Sequence, residues 1–290
     1  MAAFLHQVFS GLATGGIYAS VALALVMIYQ ATHHVNFAQG EMAMFSTYIC
    51  SSLIAWGLSY WIAFLLTLAI AFLGGLAIER IVVRPVEKAP VLSVVIVFIG
   101  LLVIINSMAG AIYSYTIRPF PSPFPTDAWY AGSFINAHEA GSIGVTFAVL
   151  ALVYAFFRFT PLGLAMRAAA QNPVSSRLVG IRVGWMLGIG WGLAAAIGAA
   201  AGIMAAPIFY LDPNMMGSIL LYSFAGALLG GIDNPWGAVI GGFAMGVLEN
   251  LAGAYLVGTE IKLSVALIVI VGVLVAKPSG LFGRQLVSRV

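Results

Sequence analysis

Ten of the twelve Lys and Arg residues in this chain fall in three short gaps, 80–88, 158–182 and 277–289, that interrupt long apolar runs. The other two, Arg118 and Lys262, occupy different connections. Positive residues resist translocation, so loops that retain them mark one side of a bilayer. Apolar runs of roughly 18 or more residues recur along the chain, enough to cross a hydrocarbon core of about 30 Å. A charged fraction of 7% beside a hydrophobic fraction of 62% is far from the quarter or so charged residues of soluble domains. The pattern specifies an all-α polytopic membrane protein.

Membrane segments are expected near 8–29, 41–58, 61–78, 91–112, 142–157, 184–207, 218–232, 236–256 and 261–276. Even numbers of segments separate the three basic gaps, so all three lie on one side, which counts back to an external N-terminus. The first run lacks the basic start and small-residue cleavage site of a secretory signal. Segment seven, about 15 residues, spans only about 22 Å as a helix and cannot cross unaided. Segment two opens on the polar string His33-His-Val-Asn-Phe-Ala-Gln-Gly-Glu41. If that string enters as a re-entrant piece, the crossings number eight instead of nine; non-helical backbone at that depth must be covered by protein or line a cavity. No polar connection is long enough for a soluble domain, so 1–290 is read as one membrane domain.

The connection 113–141 is rich in Pro and aromatics, among them Pro119, Pro121, Trp129 and Tyr130, and is expected as an ordered external loop. Trp56, Tyr60 and Trp61 suit an interfacial aromatic belt. Glycines four apart (Gly184, Gly188 and Gly192; Gly237 and Gly241; Gly242 and Gly246) fit close helix packing. Cys50 is the only cysteine, which excludes intrachain disulfides and cysteine-based metal sites; no metal site is expected. The net charge of +3 reflects loop topology, not nucleic-acid binding.

Three acids lie in or beside apolar segments, and intramembrane acids usually face a cavity or a partner. Glu41 reads either as a carboxylate near a helix N-terminus or as a contact for a passing solute, helped by Asn36 and Gln39. Asp233 reads as a loop residue and helix cap. Glu249 is open between pairing and pore lining. In 158–183, Thr160 and Pro161 fit an N-cap and first helical position; a helix over 164–171 should end before Pro173, with a second turn over 174–179. Such an amphipathic pair lying along the membrane is a handle for a soluble partner.

Tyr18-Ala-x-x-Ala-Leu with Asn36-Phe-Ala-Gln-Gly-Glu41 resembles the first motif of permease subunits of branched-chain amino-acid ABC importers. Thr160, Gly163, Arg167, Ala168, Asn172, Gly180 and Ile181 resemble their ATPase-coupling segment. Leu229-Gly-Gly-Ile232 with Gly237-Ala-x-x-Gly-Gly242 looks like their second-half motif, and Pro278-x-Gly-Leu-Phe-Gly283 their C-terminal signature. The resemblance spans essentially the whole chain. The family usually has His where this chain has Gln39, and often Lys where it has Tyr222. The resemblance implies a bacterial inner-membrane subunit without catalysis or cofactor of its own. It implies partnership with a second homologous permease, two cytoplasmic ATP-binding subunits and a periplasmic binding protein. It further implies that 36–41 and 229–242 are related broken helices of two inverted halves. Asn36, Gln39, Glu41, Tyr222 and Glu249 are the candidate substrate-path residues. Urea, short amides and aromatic acids are alternative substrates.

Two other classes compete. A self-sufficient transporter or channel needs facing acids or histidines, and Glu41, Glu249, His33 and His34 are its candidates; it leaves the segment 158–183 unexplained. An intramembrane enzyme needs a nucleophile and base at depth, but no HExxH or GxSxG occurs, and no phosphate loop for ATP.

Overall fold

The structure, a computed structural model, describes residues 2–87, 89–125, 135–258 and 261–283. Each of the nine apolar segments forms a helix: α1 (Ala2–Thr32), α2 (Gln39–Ala55), α3 (Tyr60–Ile78), α5 (Val91–Tyr113), α6 (Ala137–Phe159), α9 (Val183–Phe209), α10 (Met216–Gly230), α11 (Pro235–Ala252) and α12 (Lys262–Ala276). The short helices α4 (Arg84–Val86), α7 (Pro161–Gln171) and α8 (Pro173–Leu178) lie in the first two basic gaps. Six helical stretches are long and apolar enough to cross a membrane. At 17, 15 and 15 residues, α2, α10 and α12 are shorter. Among the described residues, β-pairing is limited to one bridge between Arg118 and Leu211.

Three boundaries differ from the sequence reading, each for a local reason. The helix α3 does not stop at the first basic gap. It passes through a π-helical turn, Glu79–Val83, into α4, and so buries Glu79 at 3% exposure. The helix α6 begins five residues before the expected 142, because Asn136 and Glu139 form a reciprocal capping box. The Glu139 backbone N–H donates to Asn136 Oδ1 at 2.7 Å, and the Asn136 N–H donates to Glu139 Oε2 at 3.0 Å. The cap of α11 is Asn234, not Asp233: Asn234 Oδ1 accepts from the N–H groups of Trp236 and Gly237. Within 113–141, residues 126–134, including Trp129 and Tyr130, lie outside the described residues. The part before them is tied down by paired backbone bonds between Arg118 and Leu211, at 3.0 and 2.9 Å.

The chain forms two compact units. One comprises 27–121 and 145–216. In it α9 lies against α2 and α3 along a line of small residues. A Cβ at Gly75 would stand 2.6 Å from the Trp191 carbonyl oxygen, one at Gly192 would stand 2.8 Å from that of Phe72, and one at Gly202 would stand 2.9 Å from that of Ala43. Gly184 and Gly188 continue the Gly192 face toward Arg84 and Glu79. Trp191 is fully buried, with Phe98 of α5 at 5.8 Å between ring centroids.

The other unit comprises 1–26, 122–144 and 217–290. Here α11 has two glycine faces. Gly237 and Gly241 meet the backbone of Gly230 and Gly226 in α10, while Gly242 and Gly246 meet Ala19 and Gly15 in α1. Both contacts are backbone on backbone, the approach that small residues four apart permit in lipid. The turn after α10 is closed by the C-terminal segment. Leu281 and Phe282 donate to the carbonyls of Leu229 and Gly230 at 2.8 and 3.0 Å, and Asn234 Nδ2 donates to the Phe282 carbonyl. Gly231 and Gly280 both take positive φ, +112° and +73°, where they touch, so the glycines of the second-half and C-terminal motifs serve one joint.

Replacing Gly246 with Val should lower stability by about 1–3 kcal/mol, the usual cost of overpacking, read as a lower unfolding midpoint in detergent. Gly74→Ala, where a Cβ meets nothing within 4 Å, should leave the midpoint unchanged.

Candidate functional site

The polar string before α2 folds back on itself. Asn36 is fully buried, and its Oδ1 accepts from the Ala38 N–H at 3.0 Å, an Asx turn that starts the helix. Gln39, also fully buried, donates from Nε2 to the Ala194 carbonyl of α9 at 2.9 Å. A glycine at 198 leaves room for that amide, since a Cβ there would stand 2.5 Å from Gln39 Nε2. Asn36 and Gln39 therefore fix the start of α2 against α9, and Glu41 stands in its first turn.

Glu41 is 7% exposed. Its Oε2 accepts from Asn106 Nδ2 of α5 at 3.2 Å. Two turns along both helices, Tyr48 stacks on Tyr113 with ring centroids 4.5 Å apart. Ser52 donates to the Tyr113 hydroxyl at 3.1 Å. The pairs Glu41–Asn106 and Tyr48–Tyr113 both advance by seven residues, so α2 and α5 run parallel. Asn106 also reaches the irregular segment after α9, at the Pro213 carbonyl (2.8 Å) and Asn214 Oδ1 (3.3 Å).

Glu249 is satisfied differently, within the other unit. Its Oε2 accepts from the Tyr18 hydroxyl at 2.9 Å, and its Oε1 stands 3.4 Å from Lys262 Nζ. Lys262 reaches it by laying its stem over Gly253, where a Cβ would collide with that stem. Tyr18 stacks on Tyr222, with centroids 5.1 Å apart. Thus Tyr222 and Glu249 belong to one closed network of paired groups, and pairing is what the Glu249 carboxylate does here. The five candidate path residues fall into two groups: Asn36, Gln39 and Glu41 in one unit, Tyr222 and Glu249 in the other.

Segment 158–183 has the expected form. Thr160 caps α7, its hydroxyl accepting from the Gly163 N–H at 3.0 Å. Asn172 caps α8 through the Ser175 N–H at 2.9 Å. Gly180, at φ +86°, ends α8 in the left-handed region that favours glycine. One face of α7 (Gly163, Met166 and Ala169) is buried. Gly163 is needed there because a Cβ would meet the backbone of Phe156 and Phe157. The opposite face carries exposed Arg167 and Leu164; Val174, Arg177, Leu178 and Val179 of α8 and its end are exposed as well.

Sequence reasoning missed Asn106, Lys262 and Glu79. Asn106 is the single amide in a run whose other polar side chains are two serines and the terminal Tyr113, a signal legible in the sequence. Glu79 looked like the edge of a loop, and the π turn makes it interior.

The family model described as branched-chain amino acid transport system, permease component, matches residues 7–274. The high-affinity branched-chain amino acid transport system permease protein LivH of Salmonella typhimurium is 31% identical, over 99% of this chain and 98% of that protein. The corresponding protein BraD of Pseudomonas aeruginosa is 28% identical over the same shares. Among solved structures, PsaBC from Streptococcus pneumoniae in complex with Fab shares the fold, with a TM-score of 0.51 at 13% identity over 93% of this chain and 91% of that one.

Removing Lys262 while keeping Glu249 should be costly. Lys262→Met would leave a buried carboxylate with only a phenol partner, at about 3–5 kcal/mol, and Lys262→Met with Glu249→Gln should regain most of that stability. The unfolding midpoints of the single and double variants check it.

Proposed function

We propose, since the chain belongs to the family of branched-chain amino acid transport system permease components, that it is one permease subunit of an ATP-driven importer in a bacterial inner membrane. Its substrate is a branched-chain amino acid delivered by a periplasmic binding protein. A second permease subunit completes the path, and two cytoplasmic ATP-binding subunits hydrolyse the nucleotide.

The observation that carries this reading is the uncovered outer face of α7 and α8. Leu164, Val174, Leu178 and Val179 are 61–85% exposed, on the same two helices and their end as exposed Arg167 and Arg177, and the inner face of α7 is buried. Apolar residues presented beside cations on a rigid support suit a groove in a soluble partner better than they suit water. Thr160, Asn172 and Gly180 hold the shape of that handle. Gly163 seats it on α6, Ala168 borders the buried face, and Arg167 projects toward the partner. α7 also packs on α9, through Met166 beside Gly190, so a push on the handle reaches the helix that Gln39 grips.

In this reading 158–183 is cytoplasmic, 113–141 periplasmic, the C-terminus inside and the N-terminus outside. Glu41 borders the path, positioned by Asn36 and Gln39, while Tyr222 and Glu249 brace α10 to α12. The whole chain acts as one membrane domain, and ATP is bound by partners only.

Two measurements test the reading. Affinity purification from native membranes should recover ATP-binding subunits and a second permease. Arg167→Glu or Gly163→Val should lose the ATP-binding subunits while the chain still inserts; unchanged recovery would reduce the segment to a linker. On a Cys50-free background, Arg118→Cys should react with impermeant thiol reagents from the periplasm and Arg177→Cys only from the cytoplasm. Reversed labelling would overturn the orientation.

A further inference from the structure

Glu41 and Glu249, one in each unit, are matched differently. Glu249 is matched by a lysine and a phenol. Glu41 is as deeply buried, yet among the described residues it receives one hydrogen bond, from the neutral Asn106 amide, and no Lys or Arg stands within ion-pair distance. An ionised carboxylate offers about four lone-pair sites and, when buried, calls for a cation or several donors.

What surrounds that single bond is informative. Three oxygens converge on the same nitrogen, Asn106 Nδ2: Glu41 Oε2 at 3.2 Å, the Pro213 carbonyl at 2.8 Å and Asn214 Oδ1 at 3.3 Å. An amide nitrogen carries two hydrogens, so three acceptors exceed what Asn106 can supply. The backbone carbonyl comes from the non-helical segment between α9 and α10, where Tyr210 takes φ +65° and Asp212 Oδ1 holds the Asn214 N–H at 2.6 Å. Asn106 lies seven residues inside the C-terminal end of α5, so this irregular backbone packs about two turns inside that helix end. Such backbone is tolerated only in protein or beside a cavity. Two turns further along, the Tyr48 hydroxyl is buried and, among the described residues, has no hydrogen-bond partner.

We infer that Glu41, the Pro213 carbonyl and Asn214 form a cage for a primary ammonium group, held by the Asn106 amide when empty. Three N–H donors and a positive charge match three acceptors of which one is anionic. In the reading above, on which the choice of occupant rests, the group is the α-ammonium of the amino acid in transit. The same chemistry would be met by a lysine side chain of a partner subunit, and sodium ion is the competing cation.

The test uses methylammonium as the probe, with saturation-transfer NMR on the complex in nanodiscs. Transfer to methylammonium is expected for the wild type, at least about tenfold weaker binding in Glu41→Gln, as for loss of a charged hydrogen-bond partner, and weakening in Asn214→Ala, an exposed position that leaves the buried pair intact. Asn106→Lys, whose tethered ammonium would fill the cage, should abolish it. Tetramethylammonium, which has charge but no N–H, should not bind. Equal transfer to tetramethylammonium, displacement by sodium at equal concentration, or unchanged binding in Glu41→Gln would overturn the cage. Leucine uptake by the reconstituted importer separates the sources. A free amino acid predicts uptake at least about tenfold lower in Glu41→Gln with subunits still co-purifying, whereas loss of the second permease would assign the cage to a partner lysine. Absence of leucine uptake by the wild type would fell the importer reading and leave methylammonium binding to decide the cage on its own.

Discussion

Backbone meeting backbone is the contact on which the rest of this structure depends. In lipid, apolar side chains gain nothing by leaving one hydrocarbon surroundings for another, so helices associate through close packing and hydrogen bonds. The glycines of α11 allow it to meet α10 on one face and α1 on the other. Those of α9, with Gly75 of α3, do the same in the other unit. Only against such seated helices can buried polar groups be held at hydrogen-bonding distance: Tyr18 to Glu249 follows from α1 lying on α11, and Gln39 to Ala194 from α2 lying on α9.

The nine helices were legible because long apolar runs leave few alternatives in a bilayer, and the paired glycine faces were legible from spacing alone. Boundaries were less so where polar groups do helical work. Asn136 and Glu139 read as loop, yet their reciprocal capping starts α6 early. The run Glu79, Arg80 and Arg84 read as a solvated gap; the π turn instead carries Arg80 over the Trp185 ring at 5.1 Å and turns Glu79 toward Gly188. Nothing in sequence spacing announces a π turn.

The site was legible in part. Glu41 and Glu249 stood out as acids among apolar residues, but their partners did not. Lys262 reaches Glu249 only because α11 and α12 pack together and Gly253 clears the way. Asn106 reaches Glu41 only because α2 and α5 run parallel. Such partners are set by which helices adjoin, a property of packing that a single sequence does not encode locally. The capped helices α7 and α8 lie at the other extreme. Their geometry is fixed by Thr160, Pro161, Asn172, Pro173 and Gly180, all within about one or two turns of what they cap, and local chemistry of that kind reads directly.

An importer subunit with its motor in trans differs from a self-sufficient transporter in what must be present for accumulation. The most direct measurement is leucine uptake into proteoliposomes holding this chain, its partner permease and the ATP-binding subunits, with binding protein and leucine outside and ATP inside. The account predicts accumulation that stops when ATP, the binding protein or any one subunit is omitted. Accumulation by this chain alone, driven by a proton or sodium gradient without ATP, would contradict it.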